Sequence, residues 1–121
     1  MKENIIKDKS LLFSIRIVNM YKFLVNDKKE FVLSKQLLRS GTAIGALIRE
    51  ADFAESKADF IHKMAIAQKE CNETLYWIEL LNKTEFLTEN QFESINENAT
   101  ELMKLITSII ITAKKTLNIK H

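Results

Sequence analysis

The 121-residue chain has no proline, two glycines and one cysteine, and each scarcity excludes something. Missing proline and scarce glycine, set beside abundant Leu, Ile, Lys and Glu, point to an all-helical chain whose loops need few special backbone angles. A lone cysteine, Cys71, rules out an internal disulfide and any paired-cysteine metal spacing, and its predicted place is a buried helix face. Neither sign of charge prevails. Eighteen basic and sixteen acidic side chains leave +2, so composition makes no case for a nucleic-acid binder. Long apolar runs are absent too, since 105–113 is interrupted by Thr107, Ser108 and Thr112 and falls far short of a bilayer span. The segment from Met1 to Lys9 lacks an apolar signal core and a small-residue cleavage site. The expectation is one soluble, cytoplasmic domain over 1–121 with no membrane association.

What is present reads as four helices. Phe13, Ile17, Met20 and Leu24 recur at helical spacing between about Asp8 and Val25. After a polar link at 26–30, Ser34 is the expected N-cap of the second helix, with Leu33 and Leu38 as a hydrophobic staple. Leu37, Gly41, Ile44, Ile48 and Ala51 form its inward line. Ser56 is the expected cap of a third helix carrying Phe60, Met64, Ala67, Cys71, Thr74, Ile78 and Leu81 on one side and ending near 82–84. Thr88 and Gln91 match a capping box before a fourth helix, whose inward line is Ile95, Ala99, Leu102, Ile106, Ile109 and Ala113. Met103, Leu105 and Ile110 widen that face, and Ile111 lies opposite, so the surplus apolar surface is expected on this last helix, lent to another subunit. Short links make antiparallel neighbours, which gives an up-down-up-down four-helix bundle.

Both glycines fall inside the second helix, four residues apart. Each costs roughly 1 kcal/mol against alanine there, so a compensating contact is expected: Gly41 and Gly45 share a face on which a neighbouring helix can ride close. If the second and third helices turn around 55–57, Arg39 is level with Glu73, and Glu50 with His62 or Lys63. Arg39 and Glu73 are then expected to form a partly buried ion pair that fixes the register of the hairpin.

Catalytic and metal chemistry finds few candidates. A di-iron bundle needs two Glu-x-x-His pairs, and Asp59-x-x-His62 is the one near match. A nucleophile elbow, a phosphate loop and metal-ligand spacing are all missing, so no enzyme, cofactor or metal is expected, and His62 reads as a surface partner of Glu50. Glu89, Glu93, Glu97 and Glu101 make an acidic stripe that reads as a solvated face. Lys2, Lys9 and Arg16 at one end, with Lys114, Lys115 and Lys120 at the other, are the candidate RNA or DNA contacts if the protein binds nucleic acid. Trp77 beside Tyr76 is expected where the third helix meets the fourth, as packing rather than a stacking platform.

The run Arg39-Ser40-Gly41-Thr42-Ala43-Ile44-Gly45 within 36–51, followed by Lys57-Ala58-Asp59-Phe60 and by Lys69-Glu70-Cys71-Asn72-Glu73, resembles a bacterial family. Its members are four-helix bundle proteins encoded in intervening sequences of 23S ribosomal RNA genes, also called the S23 ribosomal protein family. The resemblance covers nearly the whole chain. It implies a five-membered ring of bundles and kinship with accessory proteins of diversity-generating retroelements, which are basic and bind a reverse transcriptase and nucleic acid. Arg39, Glu50, Glu73, Gly41 and Gly45 match the family pattern as fold and assembly residues, whereas Ala43 and Leu47 stand where the family usually has a serine and an asparagine. The reading is a non-enzymatic homo-oligomeric scaffold, a pentamer on the resemblance, with Arg39, Glu50, Lys63 and Glu73 setting helix register; the alternative is a nucleic-acid-binding accessory protein using its basic helix ends.

Overall fold

The computed structural model describes residues 2–119, and side chains over 4–118. Four helices follow one another: α1 Lys2–Asn26, α2 Leu33–Ala51, α3 Lys57–Lys83 and α4 Glu89–Ile119. Contacts join α1 to α2, α2 to α3, α3 to α4 and α4 back to α1, with none across the diagonals, as in an antiparallel up-down-up-down bundle. The inward lines expected for α2 and α4 are buried, and so are Met64, Ala67, Cys71, Thr74, Ile78 and Leu81 on α3.

α1 begins earlier than the expected Asp8. Ile6 is 1% exposed, and the buried series Ile6, Ser10, Phe13, Ile17 and Leu24 carries the helix through its polar start. Ser10 breaks the apolar pattern at the α1–α2 crossing, where its hydroxyl faces Gly45 and donates to the Lys7 carbonyl at 3.1 Å.

α3 and α4 are capped as their sequences indicate. The Ser56 hydroxyl accepts from the Asp59 amide at 3.0 Å, and the Asp59 carboxylate from the Glu55 amide at 3.1 Å. Thr88 and Gln91 exchange their side-chain and main-chain bonds at 2.9 and 3.1 Å. α2 differs. Its first residue is Leu33, its N-cap Val32 makes no side-chain cap, and Ser34 is fully buried one position inside. The cap is Glu30, whose carboxylate accepts from the amides of Val32 (2.9 Å), Leu33 (3.0 Å) and Ser34 (2.7 Å), while the Ser34 hydroxyl donates to the Glu30 carbonyl at 2.8 Å. A carboxylate there also meets the positive end of the helix dipole.

The links that need left-handed backbone use Lys29 (φ 57°) and Glu85 (φ 68°) instead of glycine. Both glycines are kept for the α1–α2 crossing. Gly41 is buried, and a Cβ there would stand 2.8 and 2.9 Å from the two γ-carbons of Ile17. Gly45 is half-buried opposite Ser10 and Ser14, where a Cβ would meet nothing closer than 3.4 Å. Close approach is therefore demanded at one glycine and only permitted at the other.

Candidate functional site

Arg39 reaches two carboxylates of α3. Its guanidinium donates to Glu73 and lies 3.2 Å from Glu70, and the Glu73 carboxylate also accepts from Trp77 Nε1 at 2.9 Å. The Trp77 bond, with Arg39 second, holds Glu73 below its ordinary carboxylate value, and Glu73 and Glu70 raise Arg39. The level matches the expectation but the burial does not: the Arg39 side chain is 51% exposed and that of Glu73 37%. Water therefore screens the pair. Thermal melts of Arg39→Met, Glu73→Gln and the double variant should give a coupling under about 1 kcal/mol, well below the 3–5 kcal/mol typical of breaking a buried pair.

Trp77 does not lie toward α4 as expected. It is half-buried on the side of α3 that Glu73 and Arg39 share with α2, and Tyr76 stands exposed and edge-on to it at 4.9 Å. Glu50 pairs with Lys63 at 3.6 Å, and His62 is exposed. The Asp59 carboxylate is engaged in the α3 cap, and among the described residues no group of three or more His, Cys, Asp or Glu side chains could hold a metal. Burial pushes the Cys71 thiol up to about 12, and its Sγ donates to the Ala99 carbonyl at 3.4 Å, so it packs and does not react. Ala43 and Leu47 are both half-buried.

The candidate nucleic-acid residues are not gathered into one patch. Lys9 pairs with Glu101 at 3.1 Å. Arg16 bonds the Ser94 carbonyl at 3.2 Å, the Ser94 hydroxyl at 3.0 Å and Asn98, which ties α1 to α4. Lys114 and Lys115 are exposed about 20 Å further along α4, and the side chain of Lys2 lies outside the described residues.

The surplus apolar surface lies elsewhere than expected. On α4, Ile109 and Ile110 are buried in the chain's own core, Met103 and Leu105 pack against it, and Ile111 is 49% exposed. It is α1 that is apolar on both sides. Opposite its core face, Ile5, Leu11, Leu12 and Ile15 form one exposed ridge, with Leu12 at 62%. The sequence carried that signal in Leu11-Leu12 and Ile15, interleaved with the inward Phe13 and Ile17. A contiguous apolar ridge on a surface helix marks a face suited to covering by something outside the subunit.

These features define an antiparallel four-helix bundle whose distinguishing surface is an uncovered helix face. Residues 2–108 match the family described as 23S rRNA-intervening sequence protein, and the chain belongs to that family. It is similar to a crystallographically solved protein of unknown function from the S23 ribosomal protein family of Bacteroides thetaiotaomicron. The two share 65% identity over 91% of this chain and 98% of that one, with a TM-score of 0.90. No curated protein matches the chain. Among the described residues no helix is long and apolar enough to cross a membrane.

Proposed function

We propose that this protein is a non-enzymatic homo-oligomeric scaffold acting in the cytoplasm, assembled as the five-membered ring implied by the family resemblance, whose joint surface binds another macromolecule. The observation that carries this reading is the α1 ridge. Four half-exposed Leu and Ile side chains gain roughly 3–6 kcal/mol when fully buried, a contribution a lone subunit forgoes. Assembly covers them.

Light scattering over a range of concentrations tests it. The wild-type chain should run at five times its 14.0 kDa mass, and Leu12→Asp with Ile15→Asp should run at 14.0 kDa with its helix content kept. A wild-type monomer at every concentration would sink the reading. Nucleic-acid binding through the basic helix ends has less support, because Lys9 and Arg16 are bound to α4. It requires a gel shift that weakens with salt, and no retardation at low salt counts against it.

A further inference from the structure

The ridge needs a counterpart, and two outward strips of this chain fit each other rung by rung. On α1 the exposed positions Ile5, Asp8, Leu12 and Ile15 follow alternating steps of three and four, the spacing of a helix-packing seam. On α2 the half-buried Thr42 and the exposed Ala46 and Arg49 repeat that spacing, and Phe53, 89% exposed just past the helix end, continues it. Ala46, Arg49 and Phe53 share one open depression of about 680 Å³. A second hollow of about 120 Å³, between α1 and α2, is lined by Leu11, Gly45 and Ala46.

Heights agree. Within one copy Gly41 lies against Ile17, Gly45 against Ser10 and Ser14, and Lys7 pairs with Asp52 at 2.7 Å. Counting along the antiparallel helices from those contacts puts Ile5 level with Phe53, Asp8 with Arg49, Leu12 with Ala46 and Ile15 with Thr42. Rotation about an axis parallel to the helices preserves height, so the same residues meet between neighbouring copies. Leu12 and Ile15 then face the smaller Ala46 and Thr42, and Ile5 faces the exposed ring of Phe53. Asp8 faces Arg49, and among the described residues neither has an ion-pair partner within its own chain. Further along, Lys22 is level with Lys35, so the contact stops short of that level. The outward face of α4 is charged where the ridge is apolar: Lys9 with Glu101 and Arg16 with Asn98 fix its height, which sets Glu97 and Glu101 beside the level of Leu12 and Ile15.

We infer, resting on the ring reading, that the α1 ridge of each copy packs antiparallel along the outward face of α2 of the next. Leu12 sits on Ala46 against that copy's Leu11, and Asp8 pairs with Arg49. α1 and α2 occupy adjacent corners of the bundle, roughly 90° apart, near the angle of about 108° between the two neighbours of each member in a ring of five. A two-fold pairing of α1 ridges leaves Ala46 outside the contact. The test is light scattering on Ala46→Glu, with circular dichroism melting as the fold control, since Ala46 is exposed and glutamate is also a good helix former. That variant should run at 14.0 kDa, released as completely as Leu12→Asp with Ile15→Asp. Asp8→Arg or Arg49→Asp alone should raise the concentration of half-dissociation about tenfold, and the double reversal should restore it. An Ala46→Glu protein that stays assembled while Leu12→Asp with Ile15→Asp dissociates overturns this inference and leaves the scaffold reading standing, as does a double reversal no tighter than the single ones. A monomeric wild-type protein overturns both.

Discussion

Gly41→Ala lowers the melting temperature of this bundle and Gly45→Ala raises it, although both changes replace a mid-helix glycine by the better helix former. Each alanine gains roughly 0.5–1 kcal/mol by narrowing the unfolded backbone. At Gly45 that gain stands, because the new methyl meets only ordinary contacts with Ser10 and Ser14. At Gly41 the methyl would lie 2.8 Å from Ile17 Cγ1 and 2.9 Å from Cγ2. Those carbons sit next to the branch point of a stiff, fully buried side chain, so rotation cannot relieve the clash and α1 must move off α2. Overpacking of this kind costs about 1–3 kcal/mol, which leaves Gly41→Ala less stable by about 1–2 kcal/mol and Gly41→Val by about 3 kcal/mol or more. Ile17→Ala in the Gly41→Ala background should cost less than the sum of the single changes, since each removes part of what the other disturbs. Differential scanning calorimetry decides, and a Gly41→Ala protein as stable as Gly45→Ala would mean that the α1–α2 crossing is not set by this contact.

The parts of the fold that follow local rules were legible in the sequence. Ser56 with Asp59 and Thr88 with Gln91 cap their helices because a short side chain reaches an amide three residues on, which spacing alone reveals. The α2 cap was hidden because a longer side chain performs it from outside the helix. Glu30 reads as one more charge in a polar link, and Ser34, the conventional choice, is buried two residues past the N-cap position.

The α1 ridge is obscured in the sequence for a different reason. Periodicity shows that a helix has an apolar arc and leaves open which arc faces its neighbours when there are two. α4 turns its wide arc inward and buries Ile109 and Ile110 together, whereas α1 spends only the arc of Ile6, Phe13 and Ile17 on the core and leaves Leu11, Leu12 and Ile15 outside. The level of Arg39 with Glu73 could be read from the turn position, but their exposure depends on where the α2–α3 groove opens. Trp77 faces α2 and not α4 on the same account: its ring lies in that groove because its indole N–H bonds the carboxylate that Arg39 also uses.

Glu30→Ala should be the most damaging single change outside the apolar core. Three amides at the start of α2 lose their acceptor at once, and the Ser34 amide among them is buried where water does not replace it. Leaving a buried donor unpaired costs about 1–3 kcal/mol and loss of a helix cap about 0.5–2 kcal/mol. A net loss of roughly 2–3 kcal/mol, or on the order of 10 °C in melting temperature, is expected for a chain of this size. The same site gives the bundle an acid-sensitive element. Burial raises the Glu30 carboxyl, but the amides of Val32, Ser34 and Leu33 outweigh it and hold the folded value below that of the unfolded chain. The unfolded state therefore takes up the proton first as pH drops. This contribution is complete above the unfolded carboxylate value and disappears as pH falls through the lower folded one. Glu30→Gln keeps an acceptor without the charge, so it should lose less than Glu30→Ala at pH 7 and show a flatter decline of stability between about pH 5 and 2. Melts across that range separate the variants, and an acid limb in Glu30→Gln as steep as the wild type's would show that the decline arises at other carboxylates.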